Sequence, residues 1–590
     1  MIWEMSGGGL ADAADISAWQ EAVDNGVGYH GDNDIRSSRK GVRSCRENLG
    51  GKLKMAEKNN SGVHRAHLWE IALYALNNTS TNLYMMMVGY ISYYLVGIIG
   101  VSVVFAGSFV TVMRIWDGVT DPFVGMMVDK TNTKFGKNRP FILIGNAVLF
   151  LTTLLMFRVV PNLSSAVRFP VFLVIYLIYI VGYTCQCVVT KSAQTCLTND
   201  PKQRPVFAMF DTVYNLFALS VMLPIYVSNT LIPNFTLNST EHAAKIAELV
   251  AKNPALANVL TEKDGVQILS GFYNPEMFAH FQLVIGGIAA VFALCGIIGL
   301  WRKDRIEYFG TGKVQKVSFR DYADVLAHNR GIQMLVVAAS SDKLSLSMQT
   351  NATVMVCIFG VICGNYANYG YQSALAAIPT AVVSVLGMGV VARKLGQKKA
   401  LIVGTTGALI SAALMLCLFL FSEPTTMKLP AMVLTKPSTW VEIVKPSCWS
   451  FFGVMYILFW CGMKGFSGIA SSIVIPMTAD CADYEVYRSG KYVPGLMGTL
   501  FSFVDKIISS LASTFVSVLF AAVGFSQALP TQDTPYSTGI FWVTMACLLG
   551  APTIGWLLNL VAMKFYPLTK EKMEEIQDRI AEIKAAAMAE

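Results

Sequence analysis

The chain has 590 residues, of which 54% are hydrophobic and 14% charged, and its formal net charge is +8. Soluble domains carry roughly 25% charged residues, so this composition excludes an ordinary soluble protein and indicates a chain that crosses a membrane many times. The basic excess lies in the connections between apolar stretches, which argues against a nucleic-acid partner.

Apolar stretches of roughly 20 residues recur along the chain, each long enough to cross a hydrocarbon core of about 30 Å. They predict an all-α membrane protein with twelve transmembrane helices. Residues 1–65 precede them as a polar tail without the pattern of a signal peptide, and the role of this tail stays open. The predicted spans are 68–99, 102–127, 139–160, 167–197, 206–232, 277–301, 331–362, 371–393, 399–422, 450–480, 492–525 and 536–565.

Lysine and arginine are concentrated in alternate connections, which predicts by the positive-inside rule that both termini are cytoplasmic. We therefore expect a multi-pass protein of the plasma membrane, with the lipid bilayer as its surroundings. The basic linker 306–330 separates six spans in residues 66–305 from six in residues 331–566. The basic loops 129–140 and 392–399 occupy equivalent places in these two parts, which favours two pseudo-symmetric six-helix bundles.

Two further segments depart from the membrane pattern. Residues 233–276 form an outer loop with a helical period at residues 242–252, which serves either as a spacer or as a functional cap. Residues 567–590 place Met573, Ile576, Ile580 and Ile583 three or four positions apart. This spacing predicts an amphipathic helix at the cytoplasmic surface.

Two carboxylates, Asp117 and Asp121, lie near the middle of the second span and project from one face of the helix, because their spacing is i, i+4. Like charges in a low dielectric need a bound proton, a cation or basic partners. Pro122 has no N–H, so the carbonyl of Gly118 becomes available as a ligand, and Thr120 adds a hydroxyl. These oxygens predict a site for an alkali cation or a proton. The alternative is a structural ion pair with a lysine of another helix.

Several separated motifs carry a resemblance. The first is RIWDGVTDPFVGMMVDKTNTKFGKNRP at residues 114–140, and the others lie at residues 182–184, 197–204, 476–490 and 501–506. In this order they resemble the glycoside-pentoside-hexuronide:cation symporters, the melibiose permease-like family of the major facilitator superfamily. The resemblance covers about residues 66–585 and leaves out only the N-terminal tail and the 233–276 loop.

The resemblance implies a major facilitator fold that moves a small-molecule solute with Na⁺, H⁺ or Li⁺, needs no cofactor and works as a monomer. Asp117 and Asp121 match the acids that bind the cation in the family. Thr184 matches a hydroxyl ligand of the fourth helix, and Lys506 matches a lysine of the eleventh helix that approaches these acids.

The sugar-binding positions depart from the pattern of the melibiose permease. The essential acid of its first helix falls on Thr81, beside Asn82, and the acid of its fourth helix falls on Cys187. Its sugar-stacking aromatic falls on Lys191, and the arginine of its fifth helix falls next to Asp211. A galactoside is therefore not implied as the solute. Lys191 is a candidate for binding a uronate carboxylate, or it extends to the cytoplasmic interface.

The seventh span contains the polar residues Asp342, Lys343 and Gln349. Polar side chains at this depth usually face a bundle interior or a water-filled cavity. We expect them, together with Lys506 and the polar run 77–82 of the first span, to surround the solute. The alternative is that Asp342 and Lys343 pair with neighbouring helices.

A gate is implied at the cytoplasmic ends of the helices, where major facilitators use salt bridges to stabilise the outward-open state. Gly125 allows close helix approach in this motif, and the charged candidates lie on the second and tenth spans. These candidates are Asp129, Lys130, Arg139, Asp480, Asp483 and Arg488.

The sequence favours a secondary active symporter that imports a sugar or glycoside-like solute, including a hexuronide. An amphiphile or lysolipid carrier and a non-transporting membrane receptor are the alternatives. There is no phosphate-binding loop of the form GxxxxGK[ST], which argues against ATP-driven transport by this chain. No arrangement of His, Cys or Ser indicates an enzyme.

Overall fold

The computed structural model describes residues 65–131, 133–198, 203–305, 327–432, 436–489 and 494–589. Most of the predicted tail 1–65 and linker 306–330 lies outside these ranges. The membrane helices are α1 Leu68–Ile99, α2 Val103–Val128, α3 Arg139–Asn162, α4 Ser165–Gln194, α5 Val206–Phe235, α6 Pro275–Leu300, α7 Arg330–Gln349 with Ala352–Ile362, α8 Ala367–Ala392, α9 Gln397–Phe421, α10 Phe451–Arg488, α11 Pro494–Ala522 and α12 Thr538–Phe565. A further helix, α13, is Lys570–Ala589.

Within the described ranges, ten helices are each long and apolar enough to cross a membrane, and the two pieces of α7 make an eleventh span. Helix α11 occupies the remaining predicted span, although its apolar stretch Lys506–Ala522 is shorter. The pieces of α7 meet at an angle of 46°. Asn351 sits at this bend and accepts a hydrogen bond from the Thr353 amide at 3.0 Å, which caps the second piece.

Helix α2 starts where the backbone leaves the helical conformation after α1. Gly100 has φ of 86°, a left-handed conformation that ends α1. Ser102 then caps α2, its side chain accepting a hydrogen bond from the Phe105 amide at 3.4 Å. The helix continues through Pro122 to the opposite side of the membrane.

We call the side where α1 begins and α12 ends the chain-end side, and the opposite side the loop side. On the loop side, hydrogen bonds join the first six helices to the last six. Tyr93 donates its hydroxyl to the Pro530 carbonyl at 2.8 Å. Tyr273 donates to the Leu529 carbonyl at 2.8 Å and accepts from the Leu529 amide at 2.7 Å. These bonds hold the two halves together at this surface.

Helices α2 and α11 make a close contact between the halves near the middle of the membrane. The hydroxyl of Thr111 donates to the Ser510 carbonyl at 2.7 Å and lies 2.8 Å from the hydroxyl of Thr514. A Cβ at Gly107 would lie only 2.6 Å from the Ser513 carbonyl oxygen. The absence of a side chain at Gly107 therefore lets the two helices approach each other.

The outer segment between α5 and α6 contains more regular structure than the sequence predicts. Its helix, Ser239–Lys252, includes the predicted helical period. Three short strands, β1 Leu237–Asn238, β2 Thr261–Lys263 and β3 Val266–Leu269, form an antiparallel sheet in the order β1-β3-β2. Buried Arg168 of α4 donates to the Asn253 side chain at 2.7 Å and fixes this segment to the first half.

Helix α13 forms where the amphipathic pattern predicts a helix, and it packs on protein. Ile576 and Ile580 are buried in one cluster with Ile473 and Met477 of α10. The side chain of Gln577 donates to Asp483 at 2.7 Å. The apolar face of α13 therefore covers the chain-end side of the second half.

Candidate functional site

The two predicted carboxylates share one ammonium group. Lys506 of α11 lies 3.3 Å from Asp117 Oδ2 and also forms an ion pair with Asp121. The side chain of Asp117 is 5% exposed, whereas that of Asp121 is 34% exposed, so one carboxylate is sealed and the other is accessible. We call Asp117, Asp121 and Lys506 the carboxylate centre. Because Lys506 belongs to the second half, this centre joins the two halves electrostatically.

Hydroxyl groups complete the surroundings of Asp117. Thr184 of α4 donates to Asp117 Oδ1 at 3.1 Å. The hydroxyl of Thr120 lies 3.1 Å from that of Thr184 and donates to the Asp117 carbonyl at 3.0 Å. Four of the five predicted cation-site residues therefore meet within a few ångströms of one another, and Gly118 lies between Asp117 and Thr120 on the same turn.

The oxygen atoms available at this centre suit a small cation. Asp121 Oδ1 is buried and has no hydrogen-bond partner among the described residues. Pro122 lies inside α2 and cannot donate to the carbonyl four residues earlier, that of Gly118. A hard cation prefers such carboxylate, carbonyl and hydroxyl oxygens. In the described arrangement, the ammonium of Lys506 supplies the positive charge.

A cavity of about 430 Å³ opens beside the carboxylate centre, between α1, α2, α4, α7, α8 and α11. This volume is within the range of about 300–1,000 Å³ that small-molecule sites occupy. Asp117 and Lys506 line it, so the cavity adjoins the carboxylate centre. Its other polar lining includes Arg114, Tyr176, Tyr179, Tyr183, Lys343, Ser347, Thr350, Asn351, Tyr369, Ser509, Ser510 and Ser513.

The structure separates the predicted solute-binding residues into two groups. Lys343 and Lys506 line the cavity. The other seven do not appear in its lining: Thr81, Asn82, Cys187, Lys191, Asp211, Asp342 and Gln349. Their roles in binding stay predictions, and their observed partners are mainly within their own half.

Thr81, Asn82 and Asp211 each make short polar contacts with other residues of the first half. The hydroxyl of Thr81 donates to the Asn77 carbonyl of its own helix at 3.1 Å. Asn82 donates to the Asn215 side chain at 3.0 Å, and Asn215 in turn donates to Asp211 at 2.9 Å. Cys187 is half-buried on α4, and Lys191 is exposed one turn further toward the chain-end side.

In the second half, Asp342 and Gln349 are buried and bonded between helices. Asp342 accepts from Trp556 Nε1 at 2.8 Å and from the Ser471 hydroxyl at 2.9 Å. Gln349 donates to the Leu548 carbonyl at 2.9 Å. Asp342 therefore pairs with neighbouring helices in this structure, as the alternative to a place in the cavity wall predicts.

The chain-end charges bond within their own halves in the described residues. Arg139 lies 3.5 Å from Asp304, with its guanidinium 4.7 Å from the ring centre of Trp301. Arg488 pairs with Glu485 at 2.7 Å. Among the described residues, the polar bonds between the halves lie on the loop side and near the middle of the helices, so this arrangement is closed on the loop side.

The remaining gate candidates occupy varied positions. No described atom lies within 4 Å of a Cβ at Gly125, so the described residues show no close helix approach there. Lys130 is exposed, Asp480 lies beside α13, and Asp483 bonds to α13. Asp129 belongs to the α2 region, but its side chain is outside the described part of the structure. Gating by these residues stays a prediction.

Sequence reasoning missed Arg114 and the tyrosines of α4 as site residues. Arg114 stands one turn before Asp117 and faces the same cavity. Tyr176, Tyr179 and Tyr183 recur at positions i, i+3 and i+7, a spacing that places them on one helical face. This spacing was a detectable signal, but only the packing of α4 against α2 shows that the face lines a cavity.

Most of this chain is similar in sequence to known sugar transport proteins. The sequence model of the MFS/sugar transport protein family matches residues 74–570. The isoprimeverose transporter of Lactiplantibacillus pentosus is 21% identical over 518 residues, covering 86% of this chain and 90% of that protein. The glucuronide carrier protein homolog of Escherichia coli is 23% identical over 514 residues, covering 85% of this chain and 93% of that protein.

Among solved structures, the crystal structure of the nucleoside transporter NupG superposes with a TM-score of 0.50 at 11% sequence identity. The superposition covers 85% of this chain and 98% of NupG. At this identity the likeness concerns the fold alone.

Proposed function

Because this chain belongs to the MFS/sugar transport protein family, we propose that it imports a sugar or glycoside-like solute by symport with Na⁺ or H⁺. The predicted major facilitator fold is confirmed by the family match and by the structural likeness. The protein is a multi-pass membrane transporter and not an enzyme. Its relatives do not favour the amphiphile carrier or the non-transporting receptor given as alternatives.

The observation that carries the proposal is the shared ion pair at the carboxylate centre. Lys506 holds Asp117 and Asp121 together across the two halves while facing the cavity. A cation that binds the two carboxylates competes with Lys506, because both neutralise the same negative charge. Ion binding would thereby weaken an electrostatic link between the halves and change the charge beside the solute. This competition couples the ion to the solute and to the movement of the halves.

The proposed orientation identifies which side of the protein is external. We place the chain-end side in the cytoplasm, since the basic connections lie on that side, and the protein in the plasma membrane as a monomer. The hydrogen bonds of Tyr93 and Tyr273 to the loop around Pro530 then close the external entrance. The described arrangement is thus a conformation in which the external entrance is closed.

The test is uptake of radiolabelled sugars into proteoliposomes under imposed gradients of Na⁺, Li⁺ or protons. We expect one ion gradient to drive accumulation of a sugar, and Asp117→Asn with Asp121→Asn to abolish this dependence while the protein still inserts. Glu248→Gln, which removes an exposed acid of the outer helix, is the matched control. Gradient-driven accumulation that survives in the double variant would contradict the coupling role of the carboxylates.

A further inference from the structure

A second group of ionisable side chains lies inside the second half, apart from the carboxylate centre. It consists of Asp342 of α7 and Lys464 of α10, and we call it the second-half pair. Asp342 is 6% exposed, and the side-chain nitrogen of Lys464 is buried. The cavity beside Asp117 does not include either residue in its described lining. Burying such charges is costly unless each has a partner.

The nitrogen of Lys464 has no hydrogen-bond acceptor in the described part of the chain. It lies 5.1 Å from the ring centre of Trp460, and this cation–π contact only partly replaces the three hydrogen bonds that an ammonium can donate. Its charge interacts with that of Asp342, but the two groups are not in direct contact. A fixed structural ion pair would bring them together, as Lys506 and Asp117 are at the carboxylate centre.

The surroundings of Asp342 suit both an ionised and a protonated carboxyl group. The ionised group accepts from Trp556 Nε1 at 2.8 Å and, through Oδ2, from the Ser471 hydroxyl at 2.9 Å. The same hydroxyl lies 3.1 Å from the Ser467 carbonyl oxygen. With a proton on Oδ2, the acid can donate to the oxygen of Ser471, which then donates to the Ser467 carbonyl. Each of these polar groups thus keeps a partner in both states.

Few other charges act on the second-half pair. Lys343, next to Asp342 in α7, is the other described base whose charge acts on that acid. In α11, Lys506 is held at the carboxylate centre, and the side chain of Asp505 lies outside the described part of the structure. Helix α8 has no charged residue. The nearest charged residues of α9, α12 and the rest of α10 lie toward the chain-end side: Lys398, Lys399, Lys564 and Asp480.

We propose that Asp342 and Lys464 form a proton-binding site in the second half, separate from the carboxylate centre. Asp342 binds the proton on Oδ2 and becomes a neutral acid, and release of the proton to water restores the carboxylate. Because Asp342 joins α7 to α10 and α12 through Ser471 and Trp556, its protonation changes the links among these three helices. For its role in transport, this inference rests on the proposed symport function.

The experiment is a pH titration of the purified full-length protein in lipid vesicles, followed by infrared difference spectroscopy. The probe is the proton itself, and the signal is the C=O stretch of a protonated carboxylic acid. We expect one such band to disappear as the pH rises and to be missing in the Asp342→Asn protein. The amide of this variant has nearly the same shape and can still accept from Trp556, and thermal unfolding verifies that it folds.

Further variants test the two partners of Asp342. Ser471→Ala should shift the frequency of the acid band, because the protonated group loses its hydrogen-bond partner. Lys464→Met should move the pH midpoint of the band by about one unit or more, because a neighbouring charge is removed. Glu248→Gln, an exposed change on the outer helix, should alter neither property.

A third comparison separates the second-half pair from the carboxylate centre. The protein with Asp117→Asn and Asp121→Asn should keep the acid band. Loss of the band in this protein would overturn the inference, because the proton would then belong to the carboxylate centre. A spectrum without any pH-dependent acid band, or with the same band in the Asp342→Asn protein, would overturn it as well.

Uptake into proteoliposomes distinguishes this inference from the proposed function. If a sugar accumulates, Asp342→Asn should flatten the dependence of its uptake rate on pH at a fixed Na⁺ gradient, and an unchanged dependence would contradict a role of the site in transport. If no sugar accumulates under any ion gradient, the proposed symport fails. The infrared band, which needs no sugar, then still decides whether Asp342 binds a proton.

Discussion

At the scale of single residues, the carboxylate centre shows what neutralises two acids that their spacing places on one helical face. The spacing of Asp117 and Asp121 puts both acids on one face of α2, but it does not decide what neutralises them. In the structure, Lys506 does so from another helix. The alternative of an ion pair and the hypothesis of a cation site are therefore compatible, because the pair and the ion compete for the same oxygens.

Thr184 offers a test of this centre that keeps both carboxylates. The change Thr184→Val removes the hydroxyl that donates to Asp117 at 3.1 Å while conserving volume. If the hydroxyl oxygen of Thr184 is also a ligand of the bound ion, its loss should lower the apparent affinity for the coupling ion by about 10-fold or more. The measurement is the ion-concentration dependence of uptake.

The control for this change is Thr405→Val in α9. The hydroxyl of Thr405 is buried too, but it donates to the Leu401 carbonyl of its own helix at 2.9 Å. We expect its apparent ion affinity to equal that of the unmodified protein. Equal ion affinity of the Thr184→Val protein would exclude Thr184 as an ion ligand.

At the scale of elements, the contact between α2 and α11 determines where the carboxylate centre meets the cavity. Gly107 and Thr111 bring these helices together on the loop side of the membrane centre. Lys506 lies about one turn before Ser510, nearer to the start of α11, and so reaches the acids of α2. The helices themselves were predicted from hydropathy, but this particular contact required the packed structure.

The change Gly107→Leu should disrupt the contact. Its side chain would collide with the Ser513 carbonyl and the Ser517 side chain, so we expect α2 and α11 to separate on the loop side. The measurement is the rate at which a membrane-impermeant maleimide, added on the loop side, labels a cysteine placed at Ser509 in a background without reactive native cysteines. Labelling should become several-fold faster than in the parent protein.

A suitable control is Gly287→Leu in α6, where a Cβ would meet nothing within 4 Å. Its labelling rate should equal that of the parent. If both leucine variants react at the parental rate, the glycine contact does not hold the loop side closed.

At the scale of the whole molecule, α13 and the outer segment cover opposite ends of the helical bundle. The sequence predicts both as departures from the membrane pattern. In the structure, both pack against the membrane helices, whereas a simple surface helix or loop would make few such contacts. Ile576 of α13 is fully buried against the second half. The outer segment is attached to the first half through Arg168 and Asn253. Each half thus carries its own additional structure.

The change Ile576→Asp should destabilise the second half. It places a carboxylate in a cluster that excludes water, which costs a few kcal/mol because the charge has no partner there. We expect a lower midpoint of thermal unfolding in detergent. Asp578→Asn, an exposed change on the same helix, should leave the midpoint unchanged. An unchanged midpoint for the Ile576→Asp protein would contradict the packing of α13.

The sequence alone determined the membrane class, the twelve spans, the two halves and the pair of acids in α2. These features depend on hydropathy and spacing along one chain segment, which the physics of the bilayer and of the helix translate directly into structure. The sequence also identified Lys506 and Thr184 as partners of these acids, through the resemblance of separated motifs to the family.

Only the tertiary structure decided which polar residues line the cavity. Asp342 and Gln349 have the composition expected of a cavity wall, yet they bond to Trp556 and Leu548 between packed helices. Arg114 faces the cavity instead, beside Asp117. The direction of a side chain depends on the rotation of its helix and on its neighbours, which are contacts between residues far apart in the chain. A local pattern carries no information about them.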